Sequence, residues 1–176
     1  MTTPPEIPVR LPSKQPSTVL AGPYGHPLHP ALVALPIGAW SGSLLLDIGS
    51  RVVDDGAALG PAAWWMIALG IGSALVAAIF GLLDYLAIPS GTAAKRTGTL
   101  HLALNLAVVA LFASSFAIRL DDAAAETPVG PIVISVVALA LLGASGWLGG
   151  KLAYRYGVRV ATESDQADGF LTSPAS

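Results

Sequence analysis

The sequence predicts an all-α fold, a four-helix up-down transmembrane bundle with both ends of the chain on the cytoplasmic side (N-in/C-in). Three observations carry this. Four apolar segments run over about 30–52, 64–88, 99–118 and 129–150. Only 11% of the residues are charged and 53% are hydrophobic, with a mean hydropathy of +0.67, whereas soluble domains carry about 25% charged residues. The basic residues, finally, are shared unequally between the two sets of segment ends.

Each apolar segment is long enough to cross a hydrocarbon core of about 30 Å, which takes roughly 20 helical residues. Backbone amides in that core must be satisfied within the chain, and helices do so. Connectors of roughly ten residues join antiparallel neighbours. Pro30 suits the first turn of helix 1, where its missing N–H costs nothing, and Pro36 lies deeper and predicts a kink.

The chain divides into a cytoplasmic arm over 1–24, a membrane domain over 25–156 and a tail over 157–176. Six of the fourteen prolines fall in the arm, which favours extended, disordered chain. The polar tail is also expected to be disordered. No apolar stretch follows Arg10 and Lys14 before residue 30, so the arm is no secretory signal. No internal repeat is evident.

Orientation rests on Arg10, Lys14, Lys95, Arg96, Lys151, Arg155 and Arg159 on one side, against Arg51 and Arg119 on the other. Seven against two places both termini in the cytoplasm and the protein in an inner membrane. Small residues three or four apart predict close helix contact: Ala34-Gly38-Gly42 on helix 1, Ser73-Ala77-Gly81 on helix 2, Gly143-Gly146-Gly150 on helix 4. These faces also offer a route to homo-oligomers. Trp64, Trp65, Trp147, Tyr85 and Tyr154 read as interfacial anchors.

Several functions are excluded or unsupported. The absence of cysteine removes disulfides, thiolate catalysis and Cys-ligated zinc or iron–sulfur centres. A net charge of −2 gives no basic field for nucleic acid. No Walker loop, HExxH, GxSxG or Rossmann fingerprint occurs, so no stand-alone catalytic activity is expected.

The polar residues inside the membrane gather at one depth. His26 and His29 stand at the entry of helix 1. Asp84 lies one turn before the inner end of helix 2, on its small-residue stripe. His101 opens helix 3 and Asn105 shares its face one turn on. Intramembrane ionisable groups are candidate functional residues. Asp84 is expected to face His101 or Asn105. Asp47 is 18 residues beyond His29, about 27 Å along a helix, and is expected to pair locally with Arg51. Ser114-Ser115 reads as back-bonded hydroxyls.

His26, His29, Asp84 and His101 form a candidate ligand set for a transition metal. One bis-histidine haem b is the other candidate: His101 with His29 or His26 as axial pair, Asn105 beside them, Lys95 and Arg96 near the propionates. A non-catalytic structural or assembly role needs only hydrogen bonds across helices. Small-solute or proton transport is a third reading, and the one-sided depth of the polar layer counts against it.

The runs GHPLHPALVALPIGAW, GLLDYLAIP, HLALN and GWLGGKLAYRYGVRV, with Asp47 between the first two, resemble an uncharacterised family of bacterial four-helix membrane proteins, a domain of unknown function. The resemblance spans about residues 25–160. It implies a haem-bearing bundle similar to a b-type cytochrome and a redox protein as partner, since some relatives are fused to a Rieske domain. Members carry a histidine and an aromatic before the proline of helix 1. Ala34-Leu35 stands there in this chain, which argues against several haems.

Overall fold

The computed structural model describes residues 13–14, 27–120, 126–162 and 166. Most of the expected arm and tail, and His26, lie outside the described residues. Among those described, every regular element is helical. Helix 1 is α1 (Leu28–Leu32) followed by α2 (Ala34–Val52), helix 2 is α3 (Leu59–Leu86), helix 3 is α4 (Ala93–Ile118) and helix 4 is α5 (Val129–Gly150). A 3-10 turn, Gly56–Ala58, precedes α3, and a π turn, Lys151–Arg155, follows α5. The four apolar stretches are 25, 31, 26 and 27 residues long, enough to cross a bilayer.

Two helices begin earlier than hydropathy predicts. Pro61 sits in the first turn of α3, where it breaks no hydrogen bond. The hydroxyl of Thr92 caps α4 by accepting the Lys95 N–H at 3.0 Å. The capped first turn thus carries Lys95 and Arg96 into the helix. Helix 1 bends at Val33, three residues before Pro36. Proline has no N–H to offer the Leu32 carbonyl. The expected kink is therefore a local bend: Val33 keeps helical dihedrals and its N–H still bonds to the His29 carbonyl, so α1 runs on into α2.

α2 packs on α3, α3 on α4, α4 on α5, and α5 on α2, closing a ring. Helices 1 and 3 are thus diagonal, and they meet through large inward side chains. Trp40 stacks on Phe112 with ring centres 4.5 Å apart and planes 5° from parallel. Around this stack lie Ile67, Val108 and Ala138, all fully buried.

The diagonal contacts have a fixed register. Asp47 meets Arg119, 72 residues later, and His29–His101 and Trp40–Phe112 share that separation. Ser43 and Ser115, both fully buried, stand in the same relation. Helices 1 and 3 are therefore parallel and in register, and the bundle is two similar hairpins about a pseudo-two-fold axis. The repeat is nearly invisible in the residues; its trace is LHPAL at 28–32 against LHLAL at 100–104.

Asp47 does not pair with Arg51. Its carboxylate is fully buried and takes a bidentate bond from Arg119 at 2.6 and 2.9 Å, with the Thr127 hydroxyl donating at 2.8 Å. Arg51, on the exposed rim, pairs with Glu126 at 2.8 Å and donates to the Thr127 carbonyl. A buried carboxylate needs a partner that reaches it without solvent, and the diagonal helix supplies one. Ser114 bonds back to the Ala110 carbonyl as expected, whereas Ser115 accepts from Arg119.

The small-residue stripes divide. Ala77 and Gly81 face the interior, but Ala34, Gly38, Gly143 and Gly146 are exposed on the outer surface. Gly42, from the helix 1 stripe, makes room for Met66, and other glycines stand opposite large rings. A Cβ on Gly70 would lie 2.3 Å from the Trp40 Nε1. Trp64 also turns inward, stacking on Phe116 at 4.5 Å, while Trp65, Trp147 and Tyr154 are exposed.

Two measurements check this packing. Gly70→Ala forces the buried indole to move and is expected to destabilise by about 1–3 kcal/mol. Gly38→Ala, with nothing within 4 Å of the added methyl, leaves the thermal midpoint in detergent unchanged. Asp47→Ala strands a buried guanidinium and is expected to cost about 3–5 kcal/mol. Arg51→Ala, on the half-exposed pair, costs under about 1 kcal/mol in the same denaturation assay.

Candidate functional site

The layer holding His29 and His101 is built twice by the same local device. His29 leans on α3, where its Nδ1–H donates to the Ala77 carbonyl at 2.9 Å. That carbonyl also faces the residue one turn on, which is Gly81. A Cβ there would lie 2.8 Å from the His29 ring, so only glycine leaves the carbonyl open to a side chain from another helix. His101 repeats the arrangement on α5, donating from Nδ1 to the Ser145 carbonyl at 2.9 Å across Gly149. The relation of Ala77 to Gly81 is the relation of Ser145 to Gly149.

These bonds settle the tautomers. A carbonyl only accepts, so each Nδ1 carries the proton and each Nε2 keeps its lone pair. The rings face each other across the bundle diagonal, 6.3 Å between centres and 85° between planes. Both are half-buried.

The two halves differ in what surrounds the ring. Asn105, one turn beyond His101, donates to the His101 carbonyl at 2.9 Å and the buried Ser145 hydroxyl at 2.8 Å. Its contact to His101 Nε2 is longer, 3.2 Å. On the His29 side the equivalent positions are Val33 and Ala77, which offer no side-chain hydrogen bond.

The other expected site residues separate. Asp84 is buried as its stripe predicts, but it pairs with Arg159, whose Nε donates to Oδ1 at 2.6 Å, rather than with His101 or Asn105. Arg159 comes from the segment after the π turn, which folds back under the bundle through Gly157 and Arg159 itself, both at positive φ. Lys95 donates to the Tyr85 carbonyl at 2.9 Å and lies 3.6 Å over the Tyr85 ring. Arg96 is exposed. Tyr156, at the rim, has its phenol held below the ordinary range, first by its bond to Thr97 and then by Lys151. Among the described residues no group of three or more His, Asp or Glu side chains is placed to hold a metal ion.

Sequence reasoning thus finds His29, His101 and Asn105 together and misses Ser145, Gly81, Gly149 and Arg159. The repeated Leu-His-x-Ala-Leu is the signal that would have marked the histidines as equivalent.

No curated protein and no solved structure matches the chain. Residues 25–162, which take in all four helices and the segment carrying Arg159, match the family described as "Predicted membrane protein (DUF2231)". The chain belongs to that family of membrane proteins of unknown function.

Proposed function

We propose that His29 and His101 would hold one haem b, or a single transition metal, and that the protein is a membrane redox accessory to a partner protein. One observation supports this above the others. Both imidazoles are tethered through Nδ1–H to backbone carbonyls, which is how ligating histidines are oriented; the Nε2 lone pair of His29 is left open, and that of His101 would exchange the Asn105 amide at 3.2 Å for the metal. Two opposed imidazoles bonded to one metal at about 2 Å have ring centres roughly 6 Å apart, in keeping with the observed pair. Haem suits a two-donor site because its own ring nitrogens complete the iron shell.

Bound haem supplies one-electron chemistry at this depth. The chain's residues do the rest. The Ala77 and Ser145 carbonyls fix the tautomers, and Gly81 and Gly149 let the rings reach them. Arg159, held by Asp84, is the buried cation at this end of the bundle, in the role that Lys95 and Arg96 were expected to fill. His26 is a further candidate donor from outside the described residues.

The closed network of His101, Asn105 and Ser145 favours a second reading, a clamp between helices with no cofactor. The two readings part on one experiment. Protein purified in detergent from cells given haem precursor and iron is expected to show a Soret band, and His101→Ala to lose it while remaining folded. A preparation with neither a Soret band nor stoichiometric metal overturns the haem reading. On the clamp reading, His101→Ala costs only a hydrogen bond of about 1 kcal/mol.

The excess of basic residues at one end supports an inner-membrane protein with both termini cytoplasmic. A reporter fused at the C-terminus is expected to be active in the cytoplasm; activity only outside it reverses the orientation.

A further inference from the structure

The segment beyond helix 4 builds a concave site that the reading of the two histidines does not use. Helix 4 ends in the π turn Lys151–Arg155, a wide turn that is uncommon and recurs at functional sites. The chain then reverses through Gly157 and Arg159, at φ 65° and 59°. A left-handed arginine is a strained choice, and bonds on both sides hold it. Its Nε donates to the Asp84 carboxylate at 2.6 Å, and its backbone N–H donates to the Ser13 carbonyl at 2.8 Å. The second bond draws the N-terminal arm under the bundle. Lys14 then lies across Gly157, where a Cβ would stand 3.2 Å from the Lys14 Cε.

The arm and the returning segment enclose a cavity of about 390 Å³, whose lining includes Lys14, Tyr154, Arg155, Tyr156, Gly157 and Gln166. That is the size of a small-ligand site. No carboxylate lines it, and among the described residues no carboxylate pairs with Arg155. Two cations, an amide and two phenols are donors suited to the oxygens of a phosphate. The position of the cavity selects the source of that phosphate. Tyr154, 92% exposed, lines it, and Trp147, 78% exposed, precedes Tyr154 by seven residues on the surface that meets lipid. Exposed aromatics at helix ends sit at headgroup depth, and basic pockets beside membrane helices take anionic headgroups.

We propose that this cavity binds the phosphate of an anionic phospholipid headgroup. Arg155 and Lys14 are its cationic partners, and the acyl chains lie outside the bundle along helix 4, beside Tyr154 and Trp147. The site is independent of what the histidines hold.

The test uses the full-length protein in a neutral detergent. It is titrated at matched ionic strength with short-chain phosphatidylglycerol, short-chain phosphatidylcholine and inorganic phosphate, and binding is read by tryptophan fluorescence and by the thermal midpoint. Phosphatidylglycerol is expected to saturate and to raise the midpoint, and the other two to bind much more weakly. Arg155→Gln and Lys14→Gln are each expected to weaken phosphatidylglycerol binding about fivefold, and the double variant about 25-fold. Arg155→Lys keeps the charge and is expected to stay close to wild type. Arg96→Gln removes an exposed cation outside the cavity and is expected to change nothing. Equal affinity for the two lipids, or equal losses in Arg96→Gln and Arg155→Gln, overturns the site. Inorganic phosphate that displaces phosphatidylglycerol at equal concentration overturns the lipid assignment in favour of a soluble anion. Circular dichroism separates lost binding from unfolding, and Lys14→Gln, on the arm outside the helices, carries the test if Arg155→Gln unfolds. None of these outcomes bears on the histidine reading, which stands or falls on the Soret band.

Discussion

A polar group inside a bilayer has no water to turn to, and this constraint arranges the molecule. Asp47 and Arg119 obey it most fully. Each is nearly or fully buried, each is intolerable in hydrocarbon alone, and only the diagonal neighbour can neutralise it. Their bidentate geometry tolerates little sliding between helices 1 and 3. Once that register is fixed, Trp40 falls on Phe112 and His29 on His101, two and then five turns further along. Thr127 joins the same carboxylate and brings the start of helix 4 to the pair.

The same constraint explains the use of glycine. Helix carbonyls are already engaged along their own helix, and a side chain from elsewhere can share one only where no Cβ stands in the way. Gly81 and Gly149 supply that access, and both are spent on a histidine. Gly70 is spent on the broad face of an indole. Glycine is therefore required where a ring must approach a backbone, while Gly42 and Gly49 make room for Met66 and Leu59 along the seam of α2 and α3.

Much of the architecture could be read from the residues because it depends on local composition. Four apolar runs of spanning length give four helices, and depth along each run brings His29, His101 and Asn105 to one level. What could not be read depends on the diagonal. The spacing of Asp47 and Arg51 satisfies a rule for neighbours on one helix, but that rule is silent about which residue faces inward. The repeat is faint in the residues because each histidine is held by a backbone carbonyl, and backbone atoms leave no mark on a sequence. Of the small-residue stripes on helices 1 and 4, Ala34, Gly38, Gly143 and Gly146 lie on the outer surface while Gly42 packs against Met66, so regular spacing gives a face without saying what the face meets. Arg159 was hidden by its place beyond the last helix, and a left-handed residue there turns the chain back.

Each histidine is anchored within its own hairpin, His29 to α3 and His101 to α5. The separation of the two rings is therefore not a local property of the site. It is set by how the hairpins lie against each other, and two ion pairs join those hairpins at opposite ends: Asp47–Arg119 far from the rings and Asp84–Arg159 near them. The first acts as a pivot and the second as a clasp. With an arm of about 27 Å from Asp47 to His29, each degree of rocking about the pivot changes the gap between the imidazoles by about half an ångström. The spacing of the two imidazoles is thus governed by two carboxylates, one of them at the far end of the bundle.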